Sequence, residues 1–373
     1  MRHRLLCLIL CAGILLWVLP VVSASALMVE TNAKAGILYE PVTGRVLVEN
    51  NKDSRLPMAS TTKIMTTLLA IEHGDLDTPF LVGEEANVEG SSMGLKVDDT
   101  VTLRDLLYGM LLESGNDAAN VAAVRVAGSV EAFAELMNQR AAQIGMTNTH
   151  FVTPSGLDDE QHYSTAYDMA LLAAEALDNE LFREICASTK KTLCFGNPPY
   201  ERTLYGHNKL LTSYEGAIGV KTGYTKTARR CLVSAAERDG VLLIAVTLNC
   251  TDDWNVHREL LDYGFSKISM RAVPLTQGDF EVPVGGGQSP SVTARVMGDL
   301  YVPIMEGEEQ ELKVEIHLPH FLIGAVEKGR TVGYAKVIFH DKIITEFPIV
   351  TQDSVALSEE KPSLLTRFFR LFL

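Results

Sequence analysis

Apolar and polar residues follow different periods in successive parts of the chain, and these periods predict its elements. Two apolar runs flanking Pro41-Val-Thr-Gly44 predict an antiparallel hairpin over residues 35–50. Apolar residues then recur every three or four positions, which predicts a mainly helical stretch. Two helices are expected over residues 60–73 and 130–144, ended by Gly74 and Gly145. Two more are expected to begin at Thr102-x-x-Asp105 and Thr165-x-x-Asp168, which have the spacing of capping boxes.

The pattern changes to that of strands after Tyr214. Three runs, GAIGVKTG, CLVSAAER and VLLIAVTLNC, predict neighbouring antiparallel strands, with Asp239-Gly240 as a two-residue turn between the last two. That turn pairs Arg238 with Val241 and sets Cys231 opposite Leu248. A helix is expected over residues 253–265. Strands from both ends of a segment with a helical block between them are typical of an α+β domain.

From about Met270 the helical periods stop. Short valine-rich runs, interrupted by Gly and Pro, continue to about Val350 and predict a small β-sandwich-like domain. We therefore expect an α+β fold in two domains, an antiparallel sheet with a helical block over residues 27–269 and an all-β domain over residues 270–355, with a linker and anchor over residues 356–373.

Both ends of the chain carry targeting signals. Two arginines precede an apolar run over residues 5–22 that ends in small residues, which predicts a secretory signal peptide over residues 1–26, with a retained membrane anchor as the alternative. On a helical wheel, residues 363–373 separate into an arginine-bearing face and an apolar face. Eleven residues reach only about 16 Å, so this segment is predicted to lie in a membrane surface rather than cross it; docking on its own domain is the alternative.

The composition narrows the classes of partner. The chain of 373 residues carries 33 basic and 47 acidic residues, and removal of the two arginines of the signal peptide leaves 31 against 47, or −16. A nucleic-acid partner is therefore not expected. There is no Cys-x-x-Cys and no histidine cluster, so no metal and no cofactor are expected. Cys231 and Cys250 lie diagonally across the predicted hairpin, which favours separate thiols over a disulfide.

The residues PMASTTKIM contain a serine one helical turn before a lysine, Ser60 and Lys63. A serine hydroxyl needs a neighbouring base, and lysine becomes one when burial or nearby positive charge lowers its pKa. The apolar helix that follows predicts such burial, at a helix N-terminus that favours negative charge. A second copy, Ser188-Thr-Lys-Lys191, follows a predicted helix end and leads into extended structure, so its lysines are predicted to be solvated.

Two further motifs follow in order. Ser114-Gly115-Asn116 lies at the junction of two predicted helices, and Lys221-Thr222-Gly223 at the end of a predicted strand. Each triplet alone is weak, but Ser-x-x-Lys, Ser-x-Asn and Lys-Thr-Gly in this order match the motif set of penicillin-binding proteins and class A β-lactamases.

With these motifs the chain resembles low-molecular-mass penicillin-binding proteins of the serine-type D-alanyl-D-alanine carboxypeptidase family, peptidase family S11. The middle motif is Ser-Gly-Asn, which that family has in place of Ser-Asp-Asn. The resemblance covers most of the chain and includes LLESGNDAAN, TPSGLDDEQHYSTAYDMALLA and GVKTGYT. It implies a β-lactamase/transpeptidase-like domain and removal of the terminal D-alanine from peptidoglycan pentapeptide stems. It also implies covalent binding of β-lactams, a role in cell-wall biogenesis and cell shape, and attachment to the outer face of the cytoplasmic membrane.

The resemblance also implies a role for each motif residue. Ser60 would be acylated with Lys63 as its general base, and Ser114 would pass a proton to the leaving amine, shared with Lys221. Asn116 would bind the amide of the substrate, and Lys221 and Thr222 would bind its terminal carboxylate. The substrate backbone would lie close to Gly223. The backbone N–H groups of Ser60 and Tyr224 would stabilise the oxyanion.

Other interpretations stay open at this stage. A β-lactamase shares the motifs, although the class A form uses an extra glutamate and no Glu-x-x-Leu-Asn string lies between the second and third motifs. Endopeptidase or transpeptidase action needs only another acceptor for the acyl group. A non-enzymatic wall-binding protein would ordinarily lack Ser60, Lys63 or Lys221. Asp168 is interpreted as a helix cap and His162 as a loop residue, whereas His207 and Asn208 are loop residues that could line the site.

Overall fold

The structure is a computed structural model that describes residues 31–275 and 278–358. The predicted signal peptide over residues 1–26 and the predicted membrane-surface segment over residues 363–373 lie outside the described residues. Among the described helices, none is long and apolar enough to cross a membrane.

The described chain up to Lys267 combines strands and helices. Its strands are β1 (Ala33–Glu40), β2 (Arg45–Asn50), β3 (Phe80–Leu81), β4 (Thr100–Val101), β5 (Lys190–Gly196), β6 (Pro199–Tyr205), β7 (Ala217–Thr225), β8 (Arg229–Arg238) and β9 (Val241–Cys250). Its α-helices are α1 (Lys63–His73), α2 (Leu103–Leu111), α3 (Asn116–Ala127), α4 (Val130–Ile144), α5 (Ala166–Leu177), α6 (Glu180–Cys186), α7 (Leu210–Ser213) and α8 (Asp253–Lys267).

The main sheet is antiparallel and has the strand order β2-β1-β9-β8-β7. The two-residue turn at Asp239-Gly240 pairs Arg238 with Val241 and sets Cys231 opposite Leu248, as the sequence predicts. Cys231 and Cys250 are buried free thiols in the structure. Strand β7 lies at an edge of this sheet, so one row of its backbone groups is available to a ligand.

The helical block begins and ends its helices largely where the sequence predicts. Thr102 and Asp105 form a reciprocal capping box at the start of α2. The hydroxyl of Thr165 accepts the Asp168 N–H, while the Asp168 carboxylate accepts the Asn148 N–H at 2.8 Å. Asp168 is therefore a structural residue. Helix α4 ends at Gly145, whose φ of 90° is readily adopted only by glycine.

One helix starts differently from the prediction. The chain forms a 3-10 turn over Ala59–Thr62, and α1 begins only at Lys63. The reason is local hydrogen bonding: the Thr61 hydroxyl donates to Met58 O at 2.7 Å and the Thr62 hydroxyl to Ala59 O at 2.8 Å. Threonine hydroxyls that bond to carbonyls three residues back favour this tighter turn. Ser60 therefore sits in a tight turn ahead of a core helix.

The described chain after Lys267 is built mainly of strands. These are β10 (Ile268–Ala272), β11 (Asp279–Gly285), β12 (Ser291–Val296), β13 (Tyr301–Met305), β14 (Lys313–His317), β15 (Leu322–Ile323), β16 (Thr331–Phe339) and β17 (Lys342–Thr351). Strand β10 pairs with β13, and the others form a sheet of order β14-β16-β17-β12-β11-β15 around a separate apolar core. The predicted fold class, an α+β domain followed by an all-β domain, is confirmed.

Candidate active site

The turn that carries Ser60 forms one wall of a cavity of about 350 Å³. Strand β7 forms the facing wall with Thr222, Gly223 and Tyr224. The remaining lining residues come from loops, the start of β8 and the start of α8: Ser91, Ser114, His207, Lys209, Arg230, Cys231, Asp253 and Trp254. The structure thus brings together residues from all three sequence motifs around one open space.

Lys63 is fully buried directly behind Ser60. Its Nζ lies 3.1 Å from Ser60 Oγ, and it donates to Asn116 Oδ1 and to Ser155 O, each at 2.7 Å. Burial, and to a smaller degree the neighbouring Lys221, lower the pKa of the Lys63 ammonium well below its usual value. A neutral lysine amine has two N–H groups and one lone pair. Since the two carbonyl oxygens accept those N–H groups, the lone pair is left for the Ser60 hydroxyl.

Asn116 serves Lys63 in this geometry. The residue is buried, its Oδ1 accepts from Lys63, and its Nδ2 donates to Glu89 O at 2.7 Å. Both halves of its amide therefore have protein partners. The contacts assign Asn116 to holding Lys63, whereas the resemblance gives it a contact with the substrate.

Ser114 and Lys221 form a second pair across the cavity. Lys221 Nζ lies 3.0 Å from Ser114 Oγ and donates to Thr222 O at 2.8 Å. Lys221 is only 2% exposed, and burial lowers its pKa to about 7. Ser114 has a φ of 59°, a left-handed conformation that costs free energy for a residue other than glycine. Between α2 and α3 this conformation directs the hydroxyl toward Lys221.

Gly223 is required by the approach of β7 to the serine turn. A Cβ on Gly223 would lie 3.0 Å from Met58 O and 3.1 Å from the backbone nitrogens of Ser60 and Thr61. Any side chain here would push the two walls apart. In the structure, Gly223 thus lies close to the turn that carries Ser60. Tyr224 is 60% exposed and lies beside the open cavity.

Sequence reasoning assigned no role to the backbone of Ser155 and Gly156, yet both support the site. Ser155 O accepts from Lys63. Gly156, with a φ of 84°, allows the loop to pass so close that an added Cβ would lie 2.0 Å from Ala59 O. A glycine after a serine in TPSGL was the sequence signal, but only the structure shows what it approaches.

His162 also supports the serine turn, although the sequence suggested an ordinary loop residue. It is buried, and its Nδ1 accepts the Val152 N–H at 2.9 Å, so the proton lies on Nε2. That Nε2 lies 2.9 Å from the Thr62 hydroxyl, which in turn donates to Ala59 O. Burial lowers the pKa of His162 to about 4, in keeping with a neutral ring.

The second Ser-x-x-Lys copy has a different environment. Ser188 follows α6, and its hydroxyl donates to Glu184 O at 3.0 Å. Of the two lysines predicted to be solvated, Lys190 is exposed, whereas Lys191, the lysine of the motif, is half-buried with its Nζ 4.7 Å from the centroid of the Tyr108 ring. In the part of the chain that the structure describes, no group of His, Cys, Asp or Glu side chains is arranged to hold a metal ion.

Comparison with known proteins decides the family. Residues 21–252 match the family model described as D-alanyl-D-alanine carboxypeptidase, and residues 274–357 match the model of penicillin-binding protein 5, C-terminal domain. The chain belongs to the D-alanyl-D-alanine carboxypeptidase family. The family resemblance seen in the sequence motifs is therefore confirmed.

Relatives in this family are similar over most of their length. D-alanyl-D-alanine carboxypeptidase DacF of Bacillus subtilis is 30% identical over 87% of this chain and 86% of its own. DacC of Escherichia coli is 34% identical over 87% and 85%, respectively. The crystal structures of penicillin binding protein 5 from Haemophilus influenzae match with a TM-score of 0.63 and 27% identity, covering 88% of this chain and 98% of theirs.

Proposed function

We propose that this chain is a serine-type D-alanyl-D-alanine carboxypeptidase that removes the terminal D-alanine from peptidoglycan pentapeptide stems. The observation that supports this most strongly is the setting of Lys63, a fully buried amine 3.1 Å from Ser60 Oγ whose two other contacts are carbonyl oxygens. Such an amine can accept a proton, and the hydroxyl beside it opens onto a cavity.

In the acylation step, Lys63 takes the proton of the Ser60 hydroxyl as Oγ attacks the carbonyl carbon of the penultimate D-alanine. The negative charge that develops on the carbonyl oxygen is stabilised by the backbone N–H groups of Ser60 and Tyr224. The turn of Ser60 and the edge strand β7 both border the cavity, which supports this assignment.

The leaving group needs a proton as the C–N bond breaks. Ser114 Oγ gives its proton to the departing amine nitrogen and is reprotonated from Lys221, 3.0 Å away. A lysine whose pKa is lowered to about 7 is suited to such transfer because both of its protonation states are accessible at neutral pH. D-alanine leaves, and attack of water on the ester of Ser60 then releases the shortened peptide.

Penicillins and other β-lactams react at the same serine in this proposal, because they also offer a carbonyl carbon to Ser60 and leave a covalent acyl group.

The protein is exported by the predicted signal peptide over residues 1–26 and acts at the cell wall, where the shortened stem peptides that it produces affect cell shape. Residues 363–373 attach it to the outer face of the cytoplasmic membrane, since their arginines suit anionic headgroups and their apolar face suits the acyl boundary.

The proposed function is tested by release of D-alanine from a pentapeptide ending in D-alanyl-D-alanine. Wild-type protein should release one D-alanine per peptide, and Ser60→Ala should release none above background. Ser188→Ala, in the other Ser-x-x-Lys copy, is the matched control and should keep wild-type activity. Release by Ser60→Ala at the wild-type rate, or loss of release in Ser188→Ala, would overturn the assignment of the nucleophile.

A further inference from the structure

One end of the all-β part is built from segments without charged residues. Three segments form this end, residues 284–291, 318–326 and 354–358, and we call them together the apolar tip. None of the three contains Asp, Glu, Lys or Arg, although 21% of the residues in the whole chain are charged. Soluble proteins rarely expose a continuous apolar surface unless it contacts a partner.

Backbone hydrogen bonds hold the three segments together. The Gly324 N–H donates to Gly285 O at 2.9 Å and so joins the second segment to the first. The Ser358 N–H donates to Gly286 O at 2.8 Å and joins the third segment to the first. The apolar tip is therefore one continuous surface of the fold rather than three separate loops.

Three large apolar side chains project from the apolar tip: Phe321 is 57% exposed, Ile323 76% and Leu357 60%. Leu322 lies between the first two, is 8% exposed and belongs to the core of the all-β part. Since side chains alternate along a strand, Phe321 and Ile323 share the outer face. A Cβ on Gly324 would lie 3.7 Å from Leu357 Cδ2, so Leu357 lies beside the end of this strand. A single exposed leucine is ordinary, but a cluster of this kind marks a contact surface.

The apolar tip lies away from the contact with the main sheet. That contact includes Arg45, whose Cζ lies 5.3 Å from the centroid of the Phe339 ring. Phe339 pairs with Lys342 at the start of β17. The ten residues of β17 then extend over about 30 Å to Thr351, which precedes the third segment of the tip. The main sheet therefore does not cover this surface.

The chain leads from the apolar tip directly to the predicted membrane-surface segment. It leaves the tip at Ser358, and residues 363–373 begin five residues later. Five residues reach at most about 17 Å when fully extended. A segment that lies in the membrane surface therefore keeps the tip within that distance of it. Interfacial apolar faces sink about 5–10 Å into the boundary between headgroups and acyl chains, which brings this boundary within reach of the exposed side chains.

The rim of the apolar tip has no excess of one charge. Glu327 and Asp353 are exposed there, and so are Lys328 and Arg330. Attraction to anionic headgroups would therefore come from the arginines of residues 363–373. The contribution of the tip is apolar, and salt does not screen it as it screens the attraction between charges.

We infer that the apolar tip is a second membrane contact, in which Phe321, Ile323 and Leu357 insert into the lipid surface beside residues 363–373. The inference depends on the attachment proposed for that segment and goes beyond it, because it gives the folded all-β part a lipid-binding surface of its own. A terminal segment alone would leave the folded part free to rotate on its linker. The tip fixes which end of the all-β part meets the membrane.

The first test measures binding of the mature full chain to vesicles of phosphatidylglycerol and phosphatidylethanolamine. Phe321→Ser/Ile323→Ser removes two large apolar side chains and should lower the partition coefficient by ~10- to 100-fold, at low and at high salt alike. Ile343→Ser is the matched control, since Ile343 is 53% exposed but lies at the opposite end of β17. It should bind like the wild type.

The second test locates the contact. Phe321→Trp bound to vesicles that contain brominated lipids should show quenching of the introduced tryptophan, whereas Ile343→Trp should not. Thermal unfolding and D-alanine release in solution by Phe321→Ser/Ile323→Ser should match the wild type, which shows that the variant is folded.

Equal partitioning of Phe321→Ser/Ile323→Ser and wild type, or bound Phe321→Trp without quenching, would overturn the inference. Two other occupants of the tip would also overturn it and give distinct results. If residues 363–373 covered the tip, their deletion would shift the emission of Phe321→Trp to longer wavelength without vesicles. If a second copy covered it, light scattering would show a wild-type dimer that Phe321→Ser/Ile323→Ser converts into a monomer.

Failure of the proposed attachment looks different. If the chain without residues 363–373 still bound vesicles, and Phe321→Ser/Ile323→Ser abolished that binding, the tip would stand as the lipid contact and the attachment by the terminal segment would fail. A full chain that bound no vesicles would overturn both.

Discussion

Two lysines at the centre of this molecule hold their protons less tightly than ordinary lysines do. Lys63 is fully buried and Lys221 is 2% exposed, and burial lowers the pKa of both. Exposed lysines titrate near 10.4, so at neutral pH the unfolded chain binds protons that the folded chain holds less tightly. The site therefore lowers the free energy of unfolding of the protein that contains it, which is common where function requires a perturbed group.

Replacement of Lys221 by methionine should therefore stabilise the protein while it impairs catalysis. The pKa of Lys221 is about 7 in the folded protein and higher in the unfolded chain. At pH values between these two pKa values the unfolded state binds more protons than the folded state, so the free energy of unfolding of the wild type rises with pH. Lys221→Met removes the cost of burying this amine but also loses two hydrogen bonds. The net result should be a free energy of unfolding that is higher by about 1–3 kcal/mol at pH 7, and by less at pH 9.5. Denaturant unfolding at the two pH values measures both changes.

A matched control for this prediction is Lys190→Met, at an exposed position of β5. Its stability relative to wild type should not change between the two pH values. Lower stability of Lys221→Met at pH 7, or a difference that stays constant to pH 9.5, would contradict the proposed cost of burying this lysine.

The motif residues could be predicted from the sequence because their chemistry is tied to short spacings. Ser60 and Lys63 lie one turn apart, and the second copy at Ser188 could be set aside from its neighbours alone. Contacts made through the backbone could not be predicted, since any residue can supply a carbonyl. The Ser155 carbonyl that accepts from Lys63 is of this kind, and so is the Glu89 carbonyl that orients Asn116.

At the scale of elements, the site depends on how closely β7 approaches the turn over Ala59–Thr62. Gly223 permits this approach, because a Cβ there would lie 3.0 Å from Met58 O, just before that turn, and 3.1 Å from the backbone nitrogens of Ser60 and Thr61 within it. Backbone atoms on both sides cannot move aside as a flexible side chain could. The two walls of the cavity thus approach each other more closely than a side chain at this position would allow.

Gly223→Ala should accordingly damage the reaction more than the fold. The added methyl would shift Ser60 relative to β7, and small misplacements of reacting groups cost about 100-fold in rate. The rate of labelling by a fluorescent penicillin is the measurement. Gly278→Ala is the control, since a Cβ at Gly278 would meet nothing within 4 Å. A Gly223→Ala variant that is labelled at the wild-type rate would contradict this account of the two walls.

Elements with strong periodic signals could be predicted to within a residue or two. Helix α4 is an example, since its predicted limits agree with the structure, and so is the β8–β9 hairpin with its register. The start of α1 could not be predicted in the same way. Hydroxyls of Thr61 and Thr62 bond back to carbonyls, and that competition with the helix depends on geometry rather than on apolar spacing.

On the scale of the whole molecule, side-chain contacts as well as the backbone join the part with the main sheet to the all-β part. Arg45 at the start of β2 donates to both carboxylate oxygens of Glu308, each at 2.8 Å, and its guanidinium lies over the Phe339 ring. This contact links the main sheet to the all-β part. The strand order of that part could not be predicted, because its short strands carry no signal that selects a partner.

The predicted membrane attachment is a property of the full chain and is tested on it. Deletion of residues 363–373 should move the protein from vesicles containing anionic lipids to the soluble fraction, because the segment supplies both the apolar face and two arginines. Sedimentation with such vesicles measures the change, and D-alanine release in solution by the shortened chain should stay at the wild-type level. Equal sedimentation of both chains would reject the attachment.

The central claim is that Ser60 is the acylated nucleophile of a carboxypeptidase. Mass spectrometry of penicillin-treated protein, followed by peptide mapping, tests it most directly. The account predicts one penicilloyl group on the peptide that contains Ser60, and an adduct that persists long after free penicillin is removed. An adduct on another residue would contradict the assignment of Ser60, and an adduct that hydrolyses within seconds would indicate a β-lactamase instead.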